Sequence, residues 1–359
     1  MGELIIRRAR ARHATRHRPS QIAARRVGVA IAAAIVAAAA LLPAAATAAT
    51  GSLSTGDYTG PAGTQHYQLY VPSSYQPGVA MPMVVALHGC TQTADGFRRL
   101  TRWDQQAEAK GFLVLFPEQD PNSNKFRCWN WFLPGHMHRG SGEAAKIADL
   151  TRSIESRYAV DPHRVYAAGL SAGGAMASVL GATYPDVFAA IGVGSGCEYA
   201  ATATCAGWQS ADPNQAAQQA YAEMGPRARV LPFIAFQGDA DHIVPPVNAD
   251  QLVTQWLVTA DLADDRQANS SVRRSPSGTS FGRGSAGGLF GSAGGATGTK
   301  SYTVKKYSDR GGAEIAQYWT VRGMAHAWSG GDPSQQYSDS AGPDETAAMY
   351  AFFAKQRMP

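Results

Sequence analysis

The sequence predicts an α/β fold, with a mostly parallel central sheet covered by helices on both faces. Three observations carry this. Short apolar runs of β-forming residues alternate with segments of helical spacing, the pattern of a parallel sheet buried between helices. A Gly-x-Ser-x-Gly pentapeptide stands where one such run gives way to a helical segment. An acidic residue and then a histidine follow the ends of two later strands.

The chain has 359 residues, 45% hydrophobic and 16% charged, with 38 glycines and 20 prolines. That composition excludes wholesale disorder, collagen-like repeats and coiled coils. Its net charge of +5 is unevenly placed. Arg7, Arg8, Arg10, Arg12, Arg16, Arg18, Arg25 and Arg26 all precede residue 50, opposed only by Glu3. Setting these aside leaves 24 basic against 26 acidic residues. The body of the chain is therefore nearly neutral and gives no reason to expect a nucleic-acid partner.

The basic start belongs to a leader. An apolar run from Val27 to Leu42 follows Arg25-Arg26, then Pro43 and the small-residue patterns Ala44-Ala45-Ala46 and Ala46-Thr47-Ala48. A charged start, an apolar middle and a small-residue end describe a secretory signal peptide over residues 1–48, with export to an extracellular or periplasmic space. Arg25-Arg26 also fits a weak twin-arginine signal. The run is short and alanine-heavy for a stable span, so no membrane association is expected after cleavage.

Strands are expected near Tyr67–Pro72, Met83–Leu87, Phe112–Phe116, Val165–Gly169, Ala190–Gly194, Leu231–Gln237 and Ile315–Val321. Helical spacing occupies Gly96–Lys110, Glu143–Tyr158, Ala172–Tyr184, Asn214–Met224, Asn248–Leu262 and Asp344–Gln356. In Glu143–Tyr158, for example, Ala144, Ile147, Ala148, Ile154 and Tyr158 fall near one face. A single domain over 50–359 is the expectation. Residues 264–299, dominated by Gly, Ser and Ala, read as a long mobile surface insertion, because such composition buries too little apolar area to offset its ordering entropy.

Four cysteines follow the leader: Cys90, Cys128, Cys197 and Cys205. An even count in an oxidising compartment favours two disulfides, and their spacings are not those of a zinc site. Of the three pairings, Cys197 with Cys205 closes a short loop and leaves Cys90 with Cys128.

The chemistry centres on Gly169-Leu170-Ser171-Ala172-Gly173. A serine on so sharp a strand-to-helix turn needs glycines on both flanks, where neighbouring backbone passes too close for side chains. The turn exposes the hydroxyl at a helix N-terminus, which favours the negative charge that develops during acyl transfer. Serine requires a base, and the base an orienting carboxylate. Gly238-Asp239-Ala240-Asp241-His242 follows the strand at Leu231–Gln237; Asp241 is the expected acid, and Asp239 a brace for the turn. His326, in Gly323-Met324-Ala325-His326-Ala327-Trp328, is the expected base. His66 and His163 fit that role less well, and His136 with His138 forms only a weak His-x-His metal pattern. An oxyanion hole needs two fixed backbone N–H groups; Ala172 supplies one, and Cys90, after the strand at Met83–Leu87, the other. His88 is read as support for that loop. Trp129 and Trp131, in a loop bounded by Cys128, and Trp328, beside His326, are candidates for walling an acyl pocket.

Leu87-His88-Gly89-Cys90-Thr91-Gln92, Gly169–Gly174, Asp239–Pro246 and Gly323–Gly331 together resemble the polyhydroxybutyrate depolymerase family of secreted esterases, close to the feruloyl and acetylxylan esterases of carbohydrate esterase family one. The resemblance covers most of residues 60–355. It implies an α/β-hydrolase fold, a Ser171–Asp241–His326 triad, an oxyanion hole at Cys90, tryptophan-rich substrate contacts and no cofactor or metal. The implied partner is an ester substrate: polyester, oligomer or polysaccharide ester. The chain departs from the family in the length of the 264–299 segment and in lacking a fibronectin-like linker and polymer-adsorbing module. Soluble oligomers, amorphous polymer or plant-wall esters are accordingly expected ahead of crystalline polymer.

Overall fold

Side chains along each central strand point alternately to opposite faces, and here both faces are dry. In Met81–Leu87 (β3), Met83, Val85 and Leu87 join one apolar cluster while Val84 and Ala86 join another. Val160–Leu170 (β5) repeats the division, with Val165 and Ala167 on the first side and Tyr166, Ala168 and Leu170 on the second. Such double-sided burial explains why these strands read as unbroken apolar runs. Each buried Val or Leu contributes roughly 1.5–3 kcal/mol of transfer free energy.

The computed structural model describes residues 50–201, 205, 212–283 and 299–359. The expected leader, 1–48, lies outside these residues, as does 284–298 of the Gly/Ser-rich segment. Among the described residues no helix is long and apolar enough to cross a membrane.

Ten of the described strands form one sheet, and Trp328–Ser329 pairs separately with Ser338–Asp339. Its centre is parallel and runs Leu113–Glu118 (β4), β3, β5, Ala190–Gly194 (β6), Phe233–Gly238 (β7) and Glu314–Val321 (β10). Antiparallel strands flank it: Ser52–Gly60 (β1) and Gly63–Val71 (β2) beside β4, and Ser301–Ser308 (β9) and Gly278–Arg283 (β8) beside β10. Gly142–Arg157 (α3), Ala172–Thr183 (α4) and Val247–Asp265 (α6) pack on the first face, through Ile147, Met176, Leu180, Leu252 and Trp256. Ala94–Thr101 (α1), Trp103–Lys110 (α2) and Glu345–Phe353 (α7) cover the other through Phe97, Leu100, Trp103, Met349 and Phe353. This is the predicted α/β architecture. Pro213–Met224 (α5) packs beside α6.

Three expectations are corrected. The helix expected over Gly96–Lys110 is two, broken at Arg102, which takes a left-handed φ of 56°. The break turns the Arg102 guanidinium onto the carbonyl of Gly330 (2.6 Å). The segment 264–299 is not wholly without structure: its start ends α6, and 278–283 is the edge strand β8. Strands β1, β8 and β9 were not expected. Their outer positions are exposed or half-buried, and their sequences, such as SLSTGDYTG, lack an apolar run.

Disulfides join Cys90 to Cys128 and Cys197 to Cys205.

Candidate active site

Ser171 sits at the sharp junction of β5 and α4, with φ 57° and ψ −120°. A non-glycine residue there stores on the order of 1–3 kcal/mol of strain, which the surrounding structure must hold. The flanking glycines show how. A Cβ added to Gly169 would stand 2.4 Å from the Gly173 carbonyl carbon, and one added to Gly173 would stand 2.0 Å from the Leu87 oxygen. Strand, turn and helix thus meet backbone to backbone. Ser171 N–H donates to the Gly194 carbonyl (2.8 Å), tying the turn to β6. Ala172 is the first residue of α4, so its N–H belongs to the end of the helix that lacks intrahelical acceptors and carries the positive dipole.

The loop after β3 approaches the same point. A Cβ on Gly89 would lie 3.3 Å from the Leu170 oxygen and 3.4 Å from Ser171 Cβ. The amides on either side of Cys90 are engaged: Gly89 N–H donates to Gln92 Oε1 (2.8 Å) and Thr91 N–H to the Phe126 carbonyl (2.6 Å). The Cys90–Cys128 disulfide ties this loop to a second one, itself fastened by a buried carboxylate. Glu143 accepts from Asn130 N–H (2.6 Å), Asn130 Nδ2 (2.7 Å) and Gln119 Nε2 (2.6 Å).

His88 completes the support. Its Nδ1 donates to the Gly89 carbonyl (2.7 Å), and its Nε2 accepts Gln119 N–H (3.0 Å). Burial pushes its pKa down from 6.5 to about 4. Between those pH values the unfolded chain binds a proton that the folded chain refuses, so stability is lost as pH falls through that window. The expected loss is on the order of 2–3 kcal/mol, levelling off below pH 4. Urea midpoints between pH 7 and 4 measure it. His88→Asn, which retains the Nδ1-side donor, should show a shallower slope, and equal slopes would contradict the assignment.

Asp241 and His326 come from the ends of β7 and β10. His326 Nδ1 donates to Asp241 Oδ2 (2.8 Å), and both residues are buried. Asp241 Oδ1 accepts the N–H groups of Ile243 and Val244 (2.9 Å each), and Gln237 Nε2 reaches Oδ2 (3.2 Å). Burial pushes this carboxyl up, but the bonds from His326, Val244 and Ile243 outweigh it and hold the group below its ordinary value. Asp239 turns elsewhere and accepts Gly323 N–H (2.5 Å), bracing the base of the histidine loop. A Cβ on Gly238 would stand 2.1 Å from the Met324 oxygen, so the two loops are in backbone contact. The histidine loop is pinned further by Lys300 Nζ on the Gly323 carbonyl (2.7 Å) and Gly330 N–H on the Asp339 carbonyl (2.8 Å).

Ser171, His326, Gly89 and Cys90 line one cavity of about 100 Å³. Gln92, Leu170, Ile243 and Tyr337 complete its wall. Sequence reasoning singled out none of these four as substrate contacts. Gln92 carried a signal, standing at the end of the Leu87–Gln92 stretch. Ile243 and Tyr337 carried none, because lone apolar residues in polar loops have no periodicity to reveal them. The Tyr337 ring lies edge-on to His326, 6.0 Å between centroids.

The tryptophans are corrected. Trp129 is fully buried, and its indole N–H donates to the His88 carbonyl (3.0 Å), so it braces the loop from beneath. Trp328 is also fully buried, packed edge-on against Phe97 and Trp103, with its indole N–H on Thr346 Oγ1 (2.9 Å). Neither lines the cavity. Trp131 is half-buried and packs near Val244 and the Cys197–Cys205 bridge, also away from the cavity wall.

Four other histidines among the described residues are engaged elsewhere. His138 pairs with Glu223 (2.8 Å), His136 lies 3.5 Å from Glu143, His66 pairs with Asp57, and His163 meets the Met358 carbonyl (3.0 Å). His242 is exposed. Among the described residues no group of three or more His, Cys, Asp or Glu is placed to hold a metal ion.

Comparison with known proteins finds relatives of this chain. The family model described as Esterase PHB depolymerase matches residues 65–275, a span holding Cys90, Ser171 and Asp241 but not His326. Poly(3-hydroxyalkanoate) depolymerase C of Paucimonas lemoignei is 35% identical over 209 residues, covering 55% of this chain and 49% of that protein. Acetylxylan esterase A of Emericella nidulans is 32% identical over 209 residues, covering 53% of this chain and 66% of that protein. The chain thus spans about half the length of the first of these curated relatives. An acetyl xylan esterase from Aspergillus awamori superposes with a TM-score of 0.65 at 22% identity, over 85% of this chain and 100% of that one. The shared architecture is the α/β-hydrolase fold.

Proposed function

Because the chain belongs to the Esterase PHB depolymerase family, we propose that it is a secreted serine carboxylic ester hydrolase that cleaves short 3-hydroxyacyl esters, such as poly- or oligo-hydroxybutyrate, through an acyl-enzyme. The observation that carries this reading is the meeting of Ser171, His326 and Cys90 on one small cavity, with Asp241 bonded behind the imidazole.

In this reading Ser171 Oγ attacks the ester carbonyl carbon while His326 Nε2 takes its proton. Asp241, held ionised by its donors, fixes the imidazole through Nδ1 and stabilises the imidazolium. The N–H groups of Cys90 and Ala172 receive the oxyanion. Both are set before the reaction begins, so they cost no reorganisation as charge develops. Collapse of the tetrahedral intermediate expels the alcohol, which takes the proton from His326. Water then attacks the acyl-enzyme by the same route, releasing the acid and restoring Ser171.

A cavity of about 100 Å³ suits a short acyl group. Ile243, 52% exposed at its mouth, offers an apolar contact to the chain beyond. A second reading, an acetyl ester on xylan, is favoured by the acetylxylan esterase relative. The leader and the two disulfides support export, with 50–359 as the catalytic domain. Hydroxybutyrate oligomers, acetylated xylan and feruloylated xylan, assayed side by side, separate the substrates. The expected order places the oligomers highest in kcat/KM. A preference for acetylated xylan would replace the first reading with the second.

A further inference from the structure

Glu345, the first residue of α7, is fully buried and makes no ion pair among the described residues. An acid in such a place costs several kcal/mol unless its surroundings compensate. Its two oxygens face the two halves of the site. Oε2 accepts the N–H of Ser329 (2.9 Å), three residues past His326. Ser329 Oγ in turn donates to the Pro343 carbonyl (2.6 Å), so the stretch leading into α7 grips Ser329 twice. Oε1, without a hydrogen-bond partner, lies against Gly194, where an added Cβ would come within 2.4 Å of it. Gly194 is the residue whose carbonyl receives Ser171 N–H (2.8 Å). Only a glycine there leaves room for the carboxyl.

We propose that Glu345 is a positioning residue, which through Ser329 keeps the His326 loop in register with the strand end beneath Ser171. The inference rests on the esterase reading above. The environment supports it. Burial, reinforced by the neighbouring Asp344 charge and opposed by the Ser329 N–H bond, pushes the Glu345 carboxyl well above its ordinary value. Glutamine keeps an acceptor oxygen in the same shape and is the conservative replacement. A misplacement of about 1 Å between nucleophile and base can cost on the order of 10²-fold in rate, so a loop anchor this near the base has kinetic leverage.

The test compares Glu345→Gln with Glu345→Leu on a short nitrophenyl ester, with thermal melts of both. Gln keeps an acceptor for Ser329 N–H, and its kcat should stay within about threefold of wild type. Leu fills similar space without an acceptor and should lower kcat about 10–100-fold with KM little changed. If Leu melts below the assay temperature, Glu345→Met carries the same expectation. A folded Leu or Met variant with wild-type kcat overturns the proposal, as does a Gln variant no better than Leu. Phosphonate labelling of Ser171 in the wild type reports separately. Its absence would sink the esterase reading, whereas intact labelling beside an unaffected Leu variant would sink only the role of Glu345.

Discussion

Ser171→Ala should lower kcat on a short nitrophenyl ester by about 10⁴–10⁶-fold, leaving KM and melting temperature near wild type. The loss is large because the oxygen removed is the atom that would form the covalent bond, and no other serine or threonine lines the cavity. Folding is spared because alanine meets the same backbone demand at φ 57° as serine does. The residual rate should come from the oxyanion donors and from binding. In the proposed triad serine, histidine and aspartate act as a unit, so His326→Ala should cost nearly as much, and the double variant little more. Steady-state kinetics at pH 7–8 checks this.

Gly173→Ala has the largest expected effect on stability. The added methyl would stand 2.0 Å from the Leu87 oxygen, 2.6 Å from the Leu87 carbon and 2.7 Å from the His88 oxygen. These are backbone atoms at the end of the central strand β3 and of the residue after it, so no side-chain rotation relieves the clash. Overpacking of side chains typically costs 1–3 kcal/mol; here strand and helix must separate, and about 4 kcal/mol or more is expected. That is a large part of the roughly 5–15 kcal/mol that holds a domain together. Gly174→Ala provides the contrast, since its nearest contacts are at 3.1 Å. Urea unfolding should show Gly173→Ala severely destabilised or unfolded and Gly174→Ala mildly affected. Equal, small losses in both would mean that the strand and helix do not touch at this point.

The parts of the site that were legible in the sequence are those set by local backbone chemistry. Gly169 and Gly173 advertise a turn that excludes side chains, and Asp241 follows the end of a strand whose apolar run is unmistakable. Tertiary packing decided the rest. Trp129 and Trp328 stand next to functional loops in the sequence, yet both point into the core beneath them, since adjacency along the chain does not say which side of a loop a ring takes. Tyr337 reaches the cavity because Trp328–Ser329 pairs with Ser338–Asp339, a short-range pairing with no hydrophobic signature. The central strands were legible because both their faces are buried. The edge strands β1 and β8 and the strand β9 beside β8 were not, because most of their residues are exposed or half-buried and read as loop. The break at Arg102 has neither Gly nor Pro to announce it, and the contact of its guanidinium with the Gly330 carbonyl joins residues far apart in the chain.

Glu143 and Glu345 show the same limit from the buried side. Each looks in the sequence like an ordinary acidic residue near a helix start. Each is in fact enclosed, one carrying three donors that fix the loop behind Cys90, the other holding the loop that carries His326. Their positions make sense only once loops far apart in the chain are brought together.

The central claim is that Ser171 is the activated nucleophile, and covalent labelling tests it most directly. Wild-type protein treated with a nitrophenyl phosphonate should take up one phosphonyl group per chain, found by peptide mass mapping on Ser171, and lose activity in step. Ser171→Ala should take up none. Stoichiometric labelling at another residue, or uptake by the alanine variant equal to that of the wild type, would contradict the account.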